Sequence, residues 1–139
     1  MPVAYLTRIV GFSATHRISR ADWTPEQNRE AFSRAAQDHA HEYRCEVTVK
    51  GPLEAGRGGV VNLGALDALL AREITERFHG RHINDAIPEF APGGRLATGE
   101  ALTVYVWERL VGALPTGVTL HRVRVQEGPN LYSEYFGET

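Results

Sequence analysis

Apolar and polar positions alternate with a period of two in four stretches of this chain and recur every three to four positions in two others. Over 3–17, Leu6, Val10, Phe12, Ala14 and His16 share one side and Tyr5, Thr7 and Ile9 the other, which predicts a first strand. Over 40–51, His39, His41, Tyr43, Cys45, Val47 and Val49 share a face opposite Arg44, Glu46, Thr48 and Lys50. That is the pattern of a half-buried antiparallel strand, and Gly51-Pro52 ends it. Strands over 118–127 and 131–136 close the chain as a hairpin through Gly128-Pro129-Asn130, with His121, Val123, Val125 and Glu127 placed on one face. Between the strand pairs, Leu66, Leu70, Ile74 and Phe78 predict a helix over 63–78, and Leu102, Val106 and Leu110, with Trp107, a second over 99–114. Thr98 caps the latter and Pro115-Thr116-Gly117 stops it. Thr24-Pro25-Glu26-Gln27 is a capping-box start for a short, mostly polar helix toward Ala36, with Phe32 inward. The order β-β-α-α-β-β makes this an α+β domain: a four-stranded antiparallel sheet with two helices on one face.

At 139 residues, 42% apolar and 23% charged, the chain reads as one globular domain, 1–139. A net charge of -2 argues against a nucleic-acid partner held through phosphates. Met1 to Leu6 reaches Arg8 before any signal-like apolar segment forms, and no stretch approaches the roughly 20 apolar residues that span a bilayer. A lone cysteine, Cys45, fits a reducing compartment, so a cytoplasmic location without a membrane partner is expected. The Gly56-Arg57-Gly58-Gly59 connector lacks the Gly-Lys-Ser/Thr ending of a phosphate loop.

Histidines carry the chemistry. Residues i and i+2 of a strand point the same way, so His39 and His41 share a face. His16, ending the neighbouring strand, adds a third imidazole. Three histidine ligands leave the fourth position of a tetrahedral zinc open, which is the catalytic pattern. Taken singly, each is equally a hydrogen-bonded core or surface histidine. Cys45 lies four residues beyond His41, roughly 13 Å along a strand, too far to join them. Glu127 ends an apolar strand face, where it is either a solvated acid or an anchor for an amino-pyrimidinone edge. Glu100 stands in the first turn of its helix, where favouring the helix N-terminus explains it. His79 and His82, in a polar loop kept irregular by Pro88, Pro92, Gly93 and Gly94, are candidates for a general acid or base.

These segments together resemble the 6-pyruvoyl-tetrahydropterin synthase family, which includes 6-carboxytetrahydropterin synthase. The resemblance rests on Phe12-Ser13-Ala14-Thr15-His16, Asn28-Arg29 with Phe32, His39-Ala40-His41-Glu42-Tyr43 and Gly59-Val60-Val61-Asn62-Leu63. It continues through Phe78 to Asp85, Ala97-Thr98-Gly99-Glu100, and Val125-Gln126-Glu127 before Tyr135-Phe136-Gly137. The resemblance implies a tunnelling fold whose sheets join as a barrel in a homo-trimer or homo-hexamer, with sites between subunits. It implies zinc on His16, His39 and His41, and a pterin anchored by Glu127 with Thr98 and Glu100. The implied activity is a zinc-dependent carbon–oxygen lyase acting on 7,8-dihydroneopterin triphosphate or a related dihydropterin. The chain also departs from the family pattern. Ala35 stands at the usual cysteine base, and His79-Gly80 replaces the Asp-His pair that relays the proton. His79 is then the expected catalytic group, with Glu42, a metal-bound hydroxide or a neighbouring subunit's loop as alternatives. A dihydropterin aldolase, a 6-carboxytetrahydropterin synthase-type or deazapurine-forming enzyme, and a non-catalytic pterin-binding protein are the competing readings.

Overall fold

The computed structural model describes all residues, 1–139. Strand β1 (Val3–His16) pairs antiparallel along its whole length with β2 (His39–Pro52), Val3 opposite Pro52 at one end and His16 opposite His39 at the other. Strand β2 also pairs with β4 (Thr119–Gly128), and β4 with β5 (Leu131–Tyr135). Four of the strands are thus the expected antiparallel set. A fifth is new: β3 (Arg81–His82) lies parallel to β1 beside Ala14 and Thr15, giving a mixed sheet in the order β3-β1-β2-β4-β5. Two residues are too few for any periodicity, so β3 leaves no pattern in the sequence.

Helix α1 (Pro25–Phe32) begins with the capping box, Thr24 Oγ1 accepting from the Gln27 N–H and the Gln27 side chain from the Thr24 N–H. It is shorter than expected, because Ser33 turns to φ 54 and a 3₁₀ turn follows over Ser33–Ala36. Phe32 does not reach the core; it stacks on Trp23, and Asn28 is the buried residue of α1, bonded to the backbone of Arg20. The long helix over 63–78 forms as α2 (Leu63–Leu70) and α3 (Glu76–Phe78) joined by a π turn, Ala71–Thr75. A short α4 (Ile83–Ala86) follows β3. Helix α5 runs Gly99–Leu110, ending before Leu114.

Leu66, Leu70, Ile74 and Phe78 from one helix and Leu102, Val106 and Leu110 from the other are buried together on Phe12, Tyr43, Cys45, Val47, Val49, Val123 and Val125 of the sheet. One expected face is corrected here. The β2–β4 register shifts between Thr48 and Val49, a bulge that brings Leu120 into the core. His121 is therefore turned off the Val123 face and meets the rings of Tyr5 and Phe136 instead. No helix is long and apolar enough to cross a membrane.

Ile74 is fully buried where the π turn faces the sheet. Ile74→Ala should cost about 2–5 kcal/mol in urea unfolding. An unchanged midpoint would show that the helix does not rest on the sheet in this way.

Candidate metal centre

The β1–β2 register sets His16 directly opposite His39, and His41 opposite Ala14. Because i and i+2 share a face, all three imidazoles emerge on the helix-covered side at the end of the sheet. Their ring centroids lie 4.4 Å (His16–His39), 5.1 Å (His16–His41) and 4.8 Å (His39–His41) apart. One nitrogen of each comes within 4.8 Å of the others.

Two of the rings are also held from behind by a backbone carbonyl. His16 Nδ1 is 2.7 Å from the Ala97 carbonyl and His39 Nδ1 is 2.8 Å from that of Gln37. The His41 ring lies near the backbone of Glu127. A carbonyl oxygen only accepts, so these contacts place the ring proton on Nδ1 of His16 and His39 and leave Nε2 as a lone-pair donor. His16 Nε2 is buried and has no partner in the protein. Burial lowers the pKa of His16 from 6.5 to about 4, despite its bond to Ala97, with the neighbouring histidines lowering it further. Burial, then His39, lowers that of His41 as well. Both shifts favour the neutral imidazole at His16 and His41, the form that binds a metal. Three imidazoles converging on one point, two of them oriented by an outer hydrogen bond, fit a zinc ion with an open position. Cys45 is excluded as a ligand. It lies wholly inside the core beside Val10 and Val125, where burial pushes its thiol up to about 12.

Beside the histidines lies a cleft of about 540 Å³ whose walls include Thr98, Glu100, Glu127, Tyr132 and Ser133. The three residues that the resemblance marks for pterin binding therefore come together, from the N-terminus of α5 and the end of β4. Thr98 Oγ1 caps α5 by accepting from the Ala101 N–H. The Glu127 carboxylate lies against the Gly99 backbone, which partly offsets the rise in its pKa. A side chain at position 99 would collide with Glu127 Oε1, so glycine is what lets the carboxylate reach the helix end. Burial, then the nearby charge of Glu100, raises the Glu127 pKa above the usual carboxylate range. Ala35 is close by: its carbonyl accepts from the Ile18 N–H at 2.7 Å, and Ile18 lines the cleft.

The structure does not bring His79 into this group within one chain. Its Nδ1 accepts from the Ser13 N–H at 3.1 Å, and the next residue, Gly80, donates to the Ser13 carbonyl at 2.7 Å. His79 thus borders the edge of β1, next to a Ser13–Glu42 side-chain bond of 2.6 Å. The other loop histidine, His82, lies nearer the centre. Its Nε2 is 3.0 Å from Asp38 Oδ1, which also accepts from Arg17, and its charge reaches His16. Asp38 opens the Asp38-His39-Ala40-His41-Glu42-Tyr43 stretch that the sequence singles out, but its place just before His39 is the one signal for a role of its own.

The 6-pyruvoyl tetrahydropterin synthase family model matches residues 5–138. The 6-pyruvoyl tetrahydrobiopterin synthase of Homo sapiens is 32% identical over 137 residues, covering 97% of this chain and 92% of that protein. The Drosophila melanogaster protein of the same name is 31% identical over 138 residues, covering 98% and 81%. Among solved structures, that of Caenorhabditis elegans 6-pyruvoyl tetrahydropterin synthase superposes with a TM-score of 0.91 at 24% identity, covering 99% of this chain and 98% of that one. At that identity the superposition speaks for the fold.

Gly99→Ala should push the Glu127 carboxylate aside and weaken dihydropterin binding about tenfold, the loss of one charge-assisted bond. Zinc content, read by atomic absorption, should stay at the wild-type level. Unchanged pterin affinity in a calorimetric titration would contradict the position given to Glu127.

Proposed function

The chain belongs to the 6-pyruvoyl tetrahydropterin synthase family, and we propose that it is a single-domain zinc-dependent lyase acting on 7,8-dihydroneopterin triphosphate or a closely related dihydropterin. The observation that carries this reading is the convergence of three imidazoles, two of them bonded to backbone carbonyls, beside the Glu127–Glu100 cleft. His16, His39 and His41 would hold the metal. Bound there, zinc supplies Lewis acidity toward hydroxyl groups of the substrate side chain.

The remaining roles fall to the chain's own groups. Glu127 accepts paired N–H bonds from the amino-pyrimidinone edge, the recognition that a half-buried two-oxygen acceptor provides. Glu100 shares the cleft and fixes the orientation, while Thr98 holds the helix end against which Glu127 rests. His79 receives a side-chain proton. Its place on the edge of β1 supports delivery to the site of an adjoining subunit rather than its own. β3 pairs only with Ala14 and Thr15 of that edge, and Val3, Tyr5 and Ile9 on the same strand are exposed. A partly unpaired strand with exposed apolar side chains is an edge ready to join another sheet, which supports a barrel-forming homo-trimer or homo-hexamer. A cytoplasmic location goes with a pterin substrate and the free thiol of Cys45.

Mass spectrometry of products from zinc-loaded protein and 7,8-dihydroneopterin triphosphate tests the activity, with His39→Ala as control. The expected result is loss of triphosphate in the wild type alone. Release of a two-carbon fragment would establish aldolase chemistry in its place, and tight binding without turnover a binding protein. Mixing refolded His79→Ala and His39→Ala subunits tests the shared site: each should be inactive alone and regain activity together. No regain in assembled hetero-oligomers would rule out a contribution from His79 across subunits.

A further inference from the structure

The segments 17–19 and 95–98 run side by side from the metal centre, joined at the His16–Ala97 bond, and they have two sides. On one, Ile18 and Thr98 line the cleft already described. On the other, Arg17, Ser19 and Arg95 line a second, more enclosed cavity of about 180 Å³. Its floor is Asn84 and Phe90, and its rim is the turn through Gly93 and Gly94. Two arginines and a serine are among the residues that line this space, and no acidic residue is.

The cations keep donors in reserve. Arg17 spends only Nη1, on Asp38 at 3.0 Å and near His82 Nε2 at 3.5 Å. Arg95 spends Nη1 and Nη2 on Glu108, at 2.8 and 3.3 Å, which leaves Nε. Both carboxylate partners are about half exposed, so these pairs orient the arginines while binding them only weakly. Ser19 Oγ has no partner in the protein, whereas the Asn84 side chain is fully used, accepting from the Arg17 N–H and donating to the Phe90 carbonyl.

The rim is built to hold Arg95 in place. Gly93 has φ 88, the left-handed region that glycine occupies without strain. A Cβ at Gly94 would stand 2.6 Å from the Glu89 carbonyl oxygen. The turn closes through the Gly94 N–H on Ala91 and the Arg95 N–H on Glu89, each at 2.8 Å. Backbone bonds thus fix where the Arg95 side chain starts.

We propose that this cavity is an oxyanion subsite neighbouring the metal cleft, in which Arg17, Arg95 and Ser19 receive a phosphoryl group carried by the substrate. Guanidinium forks match phosphate oxygens in geometry and charge. The subsite rests on the reading of the substrate as a phosphorylated dihydropterin and adds the place where its charged tail is held. It also gives a use to the Pro92-Gly93-Gly94-Arg95 turn.

The test separates this subsite from the activity. Zinc-loaded protein is titrated with inorganic phosphate at constant ionic strength and followed by amide NMR. Saturable shifts are expected at Ser19 and at 93–95, and Arg95→Gln should weaken them about tenfold with zinc content unchanged. Shifts that are absent from these amides, or equal in Arg95→Gln, would overturn the subsite whether or not the protein turns over a pterin. A second measurement identifies the source of the phosphate. Arg95→Gln should bind 7,8-dihydroneopterin like the wild type and 7,8-dihydroneopterin triphosphate about tenfold more weakly. Equal affinity for the triphosphate in both proteins would refute its use by the substrate.

Discussion

The pairing of His16 with His39 across β1 and β2 is the constraint on which the site depends. A strand that slips by one residue turns every side chain to the opposite face, and here a slip would carry His16 away from His39 and His41. What holds the register lies further along the same ladder. Phe12 stacks on Tyr43 at 4.9 Å and on Phe78 of the helix layer at 5.1 Å. On the outer side Thr7 and Thr48 share a hydroxyl bond of 2.7 Å. The buried face of the sheet therefore enforces the metal geometry from a distance.

The backbones of Ala97 and Glu127 connect this centre to the cleft. The Ala97 carbonyl orients His16 and the Glu127 backbone lies near His41, and each belongs to a segment that also forms the cleft: Ala97 directly precedes the Thr98 cap of α5, and the Glu127 side chain faces the cavity. The histidine centre and the cleft thus share one backbone. Such outer hydrogen bonds fix both the tautomer and the direction of a metal-bound histidine. A change at the start of α5 reaches His16 through one residue.

Strands β1 and β2 are legible in the sequence because burying one face imposes a period of two, and that same period alone puts His39 and His41 on one side. The bulge beside Val49 is not legible, since one extra residue leaves composition and hydropathy unaltered while reversing the side of His121. The π turn is hidden for a related reason. Leu66, Leu70, Ile74 and Phe78 keep their spacing through it, and its mark is instead a buried Glu73 held by Arg77 at 2.9 Å and Arg109 at 3.3 Å. Thr98, Glu100 and Glu127 can be grouped only through family resemblance, because nothing local tells that the end of β4 meets the start of α5. The Asp38–His82 pair spans 44 positions and rests on β3, which has no sequence pattern of its own.

X-ray absorption at the zinc edge reads the proposed centre itself, a metal held by three imidazoles in a fold that keeps cysteine away. The expected result is one zinc per chain with three histidine nitrogens at about 2.0–2.1 Å and a light-atom fourth ligand. His16→Ala should lose the metal while its amide spectrum remains that of a folded sheet. A sulfur scatterer at about 2.3 Å, which only Cys45 or the single methionine could supply, or full zinc occupancy in His16→Ala, would contradict it.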